Sequence, residues 1–228
     1  MTTPKKLSII VPVYNEERTI VQVMEALKTA CPEAQVIYVD DGSRDRSLTL
    51  LREHARPEDL VLTKENGGKG SAVRMGIEHA EGQWTVMQDA DLEYDPKELL
   101  TLLAYAEEHP GVIVFGSRFF HGKTPHIYWR FLMGNKFITW FLNMLFQGHL
   151  TDSYTCYKLF PTAVLKSLPL SARGFELEAE LSAWPLQRLI PIHELPISYR
   201  PRSIEEGKKI RAKDAWTGMR TMVRIWFS

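Results

Sequence analysis

The chain has 228 residues, 44% of them hydrophobic and 25% charged, and its 28 basic and 28 acidic side chains cancel to a formal net charge of zero. That length holds one large α/β domain, with or without an appendage, and the neutral balance argues against general nucleic-acid binding. Cys31 and Cys156 stand alone, with no CxxC or zinc spacing. This excludes a zinc module or disulfide scaffold and predicts two buried, reduced thiols in a cytosolic protein.

The start, MTTPKKLSIIVPVY, runs from a lysine pair straight into a strand pattern, so it does not read as a signal peptide. Strands are predicted at 7–14, 35–40, 60–63, 84–89 and 111–117, where short β-branched or apolar runs occur. Between the first two, Ile20, Val23, Met24 and Leu27 recur at helical spacing, with Asn15 as the expected N-cap and Pro32 beyond the end. Further helices are expected near 44–56, 70–80 and 96–108. Such alternation predicts a mostly parallel sheet with helices on both faces, and a ligand beyond the carboxyl ends of the strands. Polar segments fall at those ends: YNEE, DDGSRD, ENGGKG and DADLE.

The second half changes character. Thirteen of the twenty residues from Tyr128 to Gln147 are apolar or aromatic, while Asn135, Thr139, Asn143 and Gln147 form a narrow polar stripe. Arg130 and Lys136 interrupt the run, so an amphipathic helix lying on a bilayer fits better than a span. The rival is a core helix with a solvent-facing polar stripe. A strand-like 154–160, a helix near 175–189 and a basic C-terminal helix follow. From Arg200 onward eight Lys/Arg face three acids, a local +5, read either as a site for an anionic partner or as a solvated helix face.

The sharpest motif is VMQDADLEYDP. In extended chain Asp89, Asp91 and Glu93 would point the same way, and their repulsion calls for a cation between them. Oxygen ligands at a strand end suit Mg²⁺ or Mn²⁺, which keeps one or two carboxylates and takes water and phosphate for the rest. Asp40 is read as a base or ribose contact and Asp41 as structural, capping the next helix. NGGKGSAVRMG lacks the spacing of a P-loop; its glycines are expected to serve close packing, with Lys69 near the donor. Asp95, before Pro96, is expected to cap the following helix. The seven histidines show no metal spacing, and no serine or cysteine sits in a nucleophile elbow.

Eight segments, in order, together resemble family 2 glycosyltransferases of the GT-A fold, and more narrowly the dolichyl- or polyprenyl-phosphate sugar synthases. They are VPVYNEE (11–17), VDDGSRD (39–45), NGGKGSAVRMG (66–76), DADLEYDP (89–96), GSRF (116–119), TDSYTCYKLF (151–160), GFELEAEL (174–181) and PISYRPRSIEEGKKI (196–210). The resemblance implies one GT-A domain over 1–228, a Rossmann-like, mostly parallel sheet. Its nucleotide-binding half would be about 1–118 and its acceptor- and membrane-facing half about 119–228. It implies donor contacts from Pro12, Tyr14, Glu16, Tyr38, Asp40, Asp89, Ala90 and Asp91, with Arg202 and Lys208 closing over the diphosphate. Asp91 and Glu93, with Asp89 shared, would bind the metal; relatives often carry Gln at the position of Glu93. Arg118 and Arg130, and more weakly Asn135, would receive an acceptor phosphate.

The reaction implied is inverting transfer of a hexose from a UDP- or GDP-sugar to a dolichyl or undecaprenyl monophosphate, at the cytoplasmic face of a membrane by a peripheral protein. Asp152 is the candidate for a sugar-hydroxyl contact or general base, weighed against a plain turn residue. The rivals are transfer to a hydroxyl acceptor with Asp152 as an essential base, and a non-catalytic nucleotide-sugar binder.

Overall fold

A computed structural model describes residues 5–120, 129–201 and 212–228; at 129–131 and 212–214 it describes the backbone alone. The first half runs β1 (Leu7–Val13), α1 (Ile20–Ala30), β2 (Gln35–Asp40), α2 (Ser47–His54), β3 (Leu60–Thr63), α3 (Lys69–His79), β4 (Trp84–Met87), α4 (Glu98–Glu108) and β5 (Ile113–Ser117). The second adds α5 (Trp129–Phe146), β6 (Lys158–Pro161), α6 (Thr162–Ser167), α7 (Leu177–Gln187), β7 (Ile192–Pro196) and α8 (Ala212–Trp226).

Seven strands form one sheet in the order β3-β2-β1-β4-β6-β5-β7. The run β3-β2-β1-β4 is parallel, β6 lies antiparallel between β4 and β5, and β7 pairs parallel with β5. In β2, β4 and β5 residues of both parities are buried, so helices and loops cover both faces and each strand reads as a continuous apolar run. Four parallel strands therefore end on the same edge, and their following loops share one rim.

Two local expectations change. Thr19, not Asn15, holds the N-cap position of α1. Asn15 has φ 53°, a left-handed turn that asparagine tolerates, and its Oδ1 accepts the Arg44 N–H at 2.8 Å. The strand expected over 154–160 shrinks to Lys158–Pro161. It runs antiparallel because it returns after α5 to fill the gap between β4 and β5.

Helix α5 is inverted relative to a core helix. Three of its four polar-stripe residues face inward, Gln147 being exposed past its end: Asn135 bonds Asp152, Thr139 is buried and bonds Ser153, and Asn143 brackets Leu150 through Nδ2 to O (2.8 Å) and Oδ1 from N (3.0 Å). Outward, Met133, Phe137, Trp140 and Met144 are each more than half exposed, three or four residues apart. The reading of a core helix with a solvent-facing polar stripe is thereby overturned. Among the described residues no helix is long and apolar enough to cross a membrane.

Candidate active site

The rim of the sheet is built by loops that bond to one another. Asp41 N–H donates to Val13 O, Lys64 N–H to Asp40 O, and Gln88 N–H to Ile10 O, which ties all four strand ends together. The Thr19 hydroxyl donates to Ala90 O at 2.6 Å, fixing the start of α1 against the acidic loop. Asp40 is buried; its Oδ2 accepts from Ser43 N–H (3.2 Å) and Thr63 Oγ1 (3.4 Å), whereas its buried Oδ1 has no hydrogen-bond partner. A buried carboxylate oxygen without a donor is costly, and a ligand hydroxyl or amine would satisfy it.

Asp41 is structural, though not as a helix cap. Its carboxylate accepts from Gly67 N–H (2.9 Å), Gly68 N–H (2.7 Å) and Lys64 Nζ (2.8 Å), and so shapes the glycine-rich loop. Gly68 has φ 92°, and a Cβ there would lie 2.5 Å from Arg173 O. Gly70 meets Ala172 O in the same way, at 2.7 Å. The glycines thus allow the loop to pack against residues 172–174, as expected from the sequence.

That packing delivers Lys69 into a buried chain of charges. Its Nζ lies 2.8 Å from Asp89 and 3.2 Å from Glu178, and Glu178 is bonded in turn to the fully buried Lys158. Burial alone would lower the Lys69 pKa, but Asp89 and then Glu178 hold it well above the usual lysine value. Burial wins at Lys158, whose pKa falls despite Glu178. Lys69 is therefore a fixed cation at the acidic loop.

The extended-chain geometry imagined for Asp89, Asp91 and Glu93 does not form. Strand β4 ends at Met87, residues 90–91 turn, and Leu92 has φ 61°. Asp89 pairs with Lys69, Asp91 Oδ1 accepts the Glu93 N–H (3.1 Å), and Glu93 Oε2 accepts from Tyr199 OH (2.8 Å). Among the described residues no three His, Cys, Asp or Glu gather as a metal-holding group. Asp95 lies just before α4, its Oδ1 accepting the Lys97 N–H at 3.0 Å.

A second charged centre lies after β5. Arg118 donates from Nε to Asp152 Oδ2 (2.7 Å) and from Nη2 to Asp152 Oδ1 (2.9 Å) and Tyr154 O (3.2 Å). Asn135 Nδ2 adds a bond to Asp152 Oδ1 at 3.1 Å, and Glu194 accepts the N–H groups of Thr151 and Asp152. Burial would raise the Asp152 pKa, yet the Arg118 guanidinium outweighs it and holds the carboxyl below its usual value. A weakly basic carboxylate with both oxygens taken and no exposed surface is poorly suited to general base work. Its geometry is that of an Arg118 holder.

The Glycosyl transferase family 2 model matches residues 8–168, a stretch that includes Lys69, Asp89, Arg118 and Asp152. The chain belongs to that family. It is 28% identical over 224 residues to the low-salt glycan biosynthesis hexosyltransferase Agl6 of Haloferax volcanii, covering 95% of this chain and 53% of the relative. It is 39% identical over 121 residues to the undecaprenyl-phosphate 4-deoxy-4-formamido-L-arabinose transferase of Proteus mirabilis, covering 50% of this chain and 36% of that one. The chain thus spans about half the length of the first relative, or less for the second. The GT-A fold is seen in a solved neighbour, glucosyl-3-phosphoglycerate synthase from Mycobacterium tuberculosis in complex with Mn²⁺ and UDP-glucose. That match has a TM-score of 0.75 at 18% identity, over 98% of this chain and 79% of the neighbour.

For a family 2 glycosyltransferase, most of the residues expected from the sequence stand on the rim. Pro12, Tyr14, Glu16, Asp40, Lys69, Asp89, Ala90 and Asp91 occupy the ends of β1, β2 and β4 and the start of α3. Tyr38 does not belong with them: it is fully buried in β2 near Arg56 and Asp59, with no side-chain surface for a nucleotide. Asn135 holds Asp152 instead of standing open to an acceptor. Arg202, Lys208 and the side chain of Arg130 lie outside the described residues. Glu178, Lys158, Glu194 and Tyr199 were not singled out from the sequence. For Glu178 the hint was GFELEAEL, because a carboxylate in a mid-helix apolar run needs a buried partner.

The donor set is compatible with a hard divalent cation, though not with a three-carboxylate cage. Asp91, half-buried at the turn, offers carboxylate oxygen beside Asp89. An ion such as Mg²⁺ or Mn²⁺ asks for one or two such ligands and completes its shell with phosphate and water.

Proposed function

We propose that this protein transfers a hexose from a nucleoside-diphosphate sugar to a polyprenyl monophosphate, with inversion, at a membrane surface. One observation carries the reading: α5 serves both faces of the problem. Its outer stripe offers Met133, Phe137, Trp140 and Met144 to an apolar medium, and its inner Asn135 grips Asp152, which clamps Arg118. The helix suited to lie on lipid is linked through Asp152 to the guanidinium suited to a lipid phosphate. The Proteus mirabilis relative, named for an undecaprenyl-phosphate acceptor, agrees with it.

In this reading the Asp40 carboxylate orients the ribose or base, and Lys69, pinned by Glu178, faces the diphosphate. Asp91 with Asp89 would hold Mg²⁺ or Mn²⁺, which would supply positive charge against the leaving diphosphate. Arg118 aligns the acceptor phosphate, whose oxygen attacks the anomeric carbon as the bond to the diphosphate breaks. The phosphate is already anionic, so positioning replaces proton removal, which fits the weak basicity of Asp152. Transfer to a hydroxyl acceptor would ask a base of Asp152 that its burial and pairing work against.

The test is a donor screen with Mn²⁺ or Mg²⁺ and a short polyprenyl phosphate, following nucleoside diphosphate release and glycolipid formation. Transfer to lipid phosphate is expected. Success only with soluble hydroxyl acceptors would sink the reading.

The membrane surface is tested separately. Trp216, Val223 and Phe227, on and just after α8, which packs on α5, are also exposed, as are Lys136 and Arg220. Phe137→Glu with Trp140→Glu is expected to lower cosedimentation with vesicles of mixed neutral and anionic lipid by about tenfold or more. Both side chains are already exposed, so thermal stability should hold within roughly 0.5 kcal/mol. Undiminished cosedimentation would remove α5 from the membrane contact.

A further inference from the structure

Tyr199 touches the acidic loop and the Arg118 centre at once. On one side its hydroxyl donates to Glu93 Oε2 (2.8 Å), and the next residue's N–H, from Arg200, donates to Glu93 O (2.9 Å). Glu93 is bonded through its own N–H to Asp91 Oδ1 at 3.1 Å. On the other side the Tyr199 ring faces the Arg118 guanidinium, with Cζ 4.9 Å from the ring centroid. Arg118 continues to Asp152 at 2.7 Å and, through Asp152, to Asn135 of α5. The path Asp91–Glu93–Tyr199–Arg118–Asp152 is continuous, and Tyr199 supplies its step from the acidic loop to Arg118.

We propose that Tyr199 is a positioning residue that couples the donor side of the site to the acceptor side, through its hydroxyl on Glu93 and its ring on Arg118. This rests on the reading above, with Asp91 toward the donor and Arg118 toward the acceptor phosphate. The segment 198–200 is anchored by these contacts, by Ser198 N–H to Glu98 Oε1 at 2.8 Å and by the Tyr199 ring against Tyr94 at 5.3 Å. A ligand that steadies either loop steadies this segment, and the second ligand then finds it already ordered, which makes binding mutually favourable. Burial, and then Glu93, push the Tyr199 phenol above its usual pKa, so it remains a donor throughout the working pH range.

The two contacts separate by substitution. Tyr199→Phe deletes the hydroxyl and keeps the ring over Arg118; Tyr199→Leu deletes both. Calorimetry would give the Kd of UDP and of GDP, each with Mn²⁺, with and without saturating farnesyl monophosphate. In the unmodified protein the lipid phosphate is expected to tighten nucleotide binding about fivefold or more. Tyr199→Phe should bring that ratio to about one, while the Kd of farnesyl monophosphate alone stays within roughly twofold. Tyr199→Leu should also weaken farnesyl monophosphate itself by about three- to thirtyfold, the worth of a partly desolvated cation–π contact. A merely structural tyrosine would move all of these constants together with the melting temperature. The proposal is overturned if Tyr199→Phe keeps the full ratio, or if the unmodified protein shows none. Sugar transfer to a polyprenyl phosphate is assayed in parallel. Mutual binding without transfer would end the functional reading and leave the coupling standing.

Discussion

Asp91→Ala is expected to lower Mn²⁺-stimulated turnover by about 10²–10³-fold, the scale of losing one preorganised charge at a reacting centre. The residue lies at the turn after β4, half-buried, with Oδ1 accepting the Glu93 N–H. Alanine removes both the charge and that bond, so Asp91→Asn is the sharper variant. It keeps an oxygen for the N–H and loses only the charge. Initial rates across a Mn²⁺ titration would check it, and near-normal stimulation in Asp91→Asn would deny Asp91 a metal role. Asp95→Ala is the control: its Oδ1 serves only the Lys97 N–H at the start of α4. It should cost about 1 kcal/mol of stability, as cap losses do, and leave turnover intact.

Asp152→Ala is expected to destabilise the protein by about 3–5 kcal/mol, because it strands the Arg118 guanidinium in a buried site. At this chain length that corresponds to a fall in Tm of roughly 6–20 °C. The double variant Arg118→Met with Asp152→Leu should regain much of the stability, since an apolar pair of similar volume suits a buried site. It should nonetheless fail to use a lipid phosphate, because no guanidinium remains. Recovery of both would show the pair to be structural only. The same carboxyl sets a pH dependence. Its folded-state pKa is depressed, so its contribution is fully present above the ordinary aspartate value near 3.9 and is lost as pH falls through the lower folded value. Acid melts should show Asp152→Ala converging on the unmodified protein below about pH 4.

Much of the fold was legible because its signals are local. Strands β1 to β5 follow from short apolar runs, and α1 from the helical spacing of Ile20, Val23, Met24 and Leu27, since both periods report burial within a few residues. The rim followed from the polar segments YNEE, DDGSRD, ENGGKG and DADLE at the strand ends, and their order carried the family resemblance that the family match then bore out. The amphipathicity of α5 was also visible, as a polar stripe of every fourth residue.

The tertiary structure decided what sits opposite what. Sequence spacing cannot say which side of α5 faces the protein; Asn135, Thr139 and Asn143 turn inward because Asp152, Ser153 and Leu150 offer them partners. Tyr38 shares strand parity with Asp40 and both are buried, but only Asp40, at the strand's end, keeps a carboxylate oxygen with no hydrogen-bond partner among the described residues. Asp89, Asp91 and Glu93 alternate only in extended chain, and Leu92 at φ 61° ends that geometry. Lys69, Lys158 and Glu178 come from α3, β6 and α7 and meet 20 to 109 residues apart. The periodicity of one chain segment records its own burial. The pairing of charges between segments depends on where the whole sheet brings them, and that was not written at any single position.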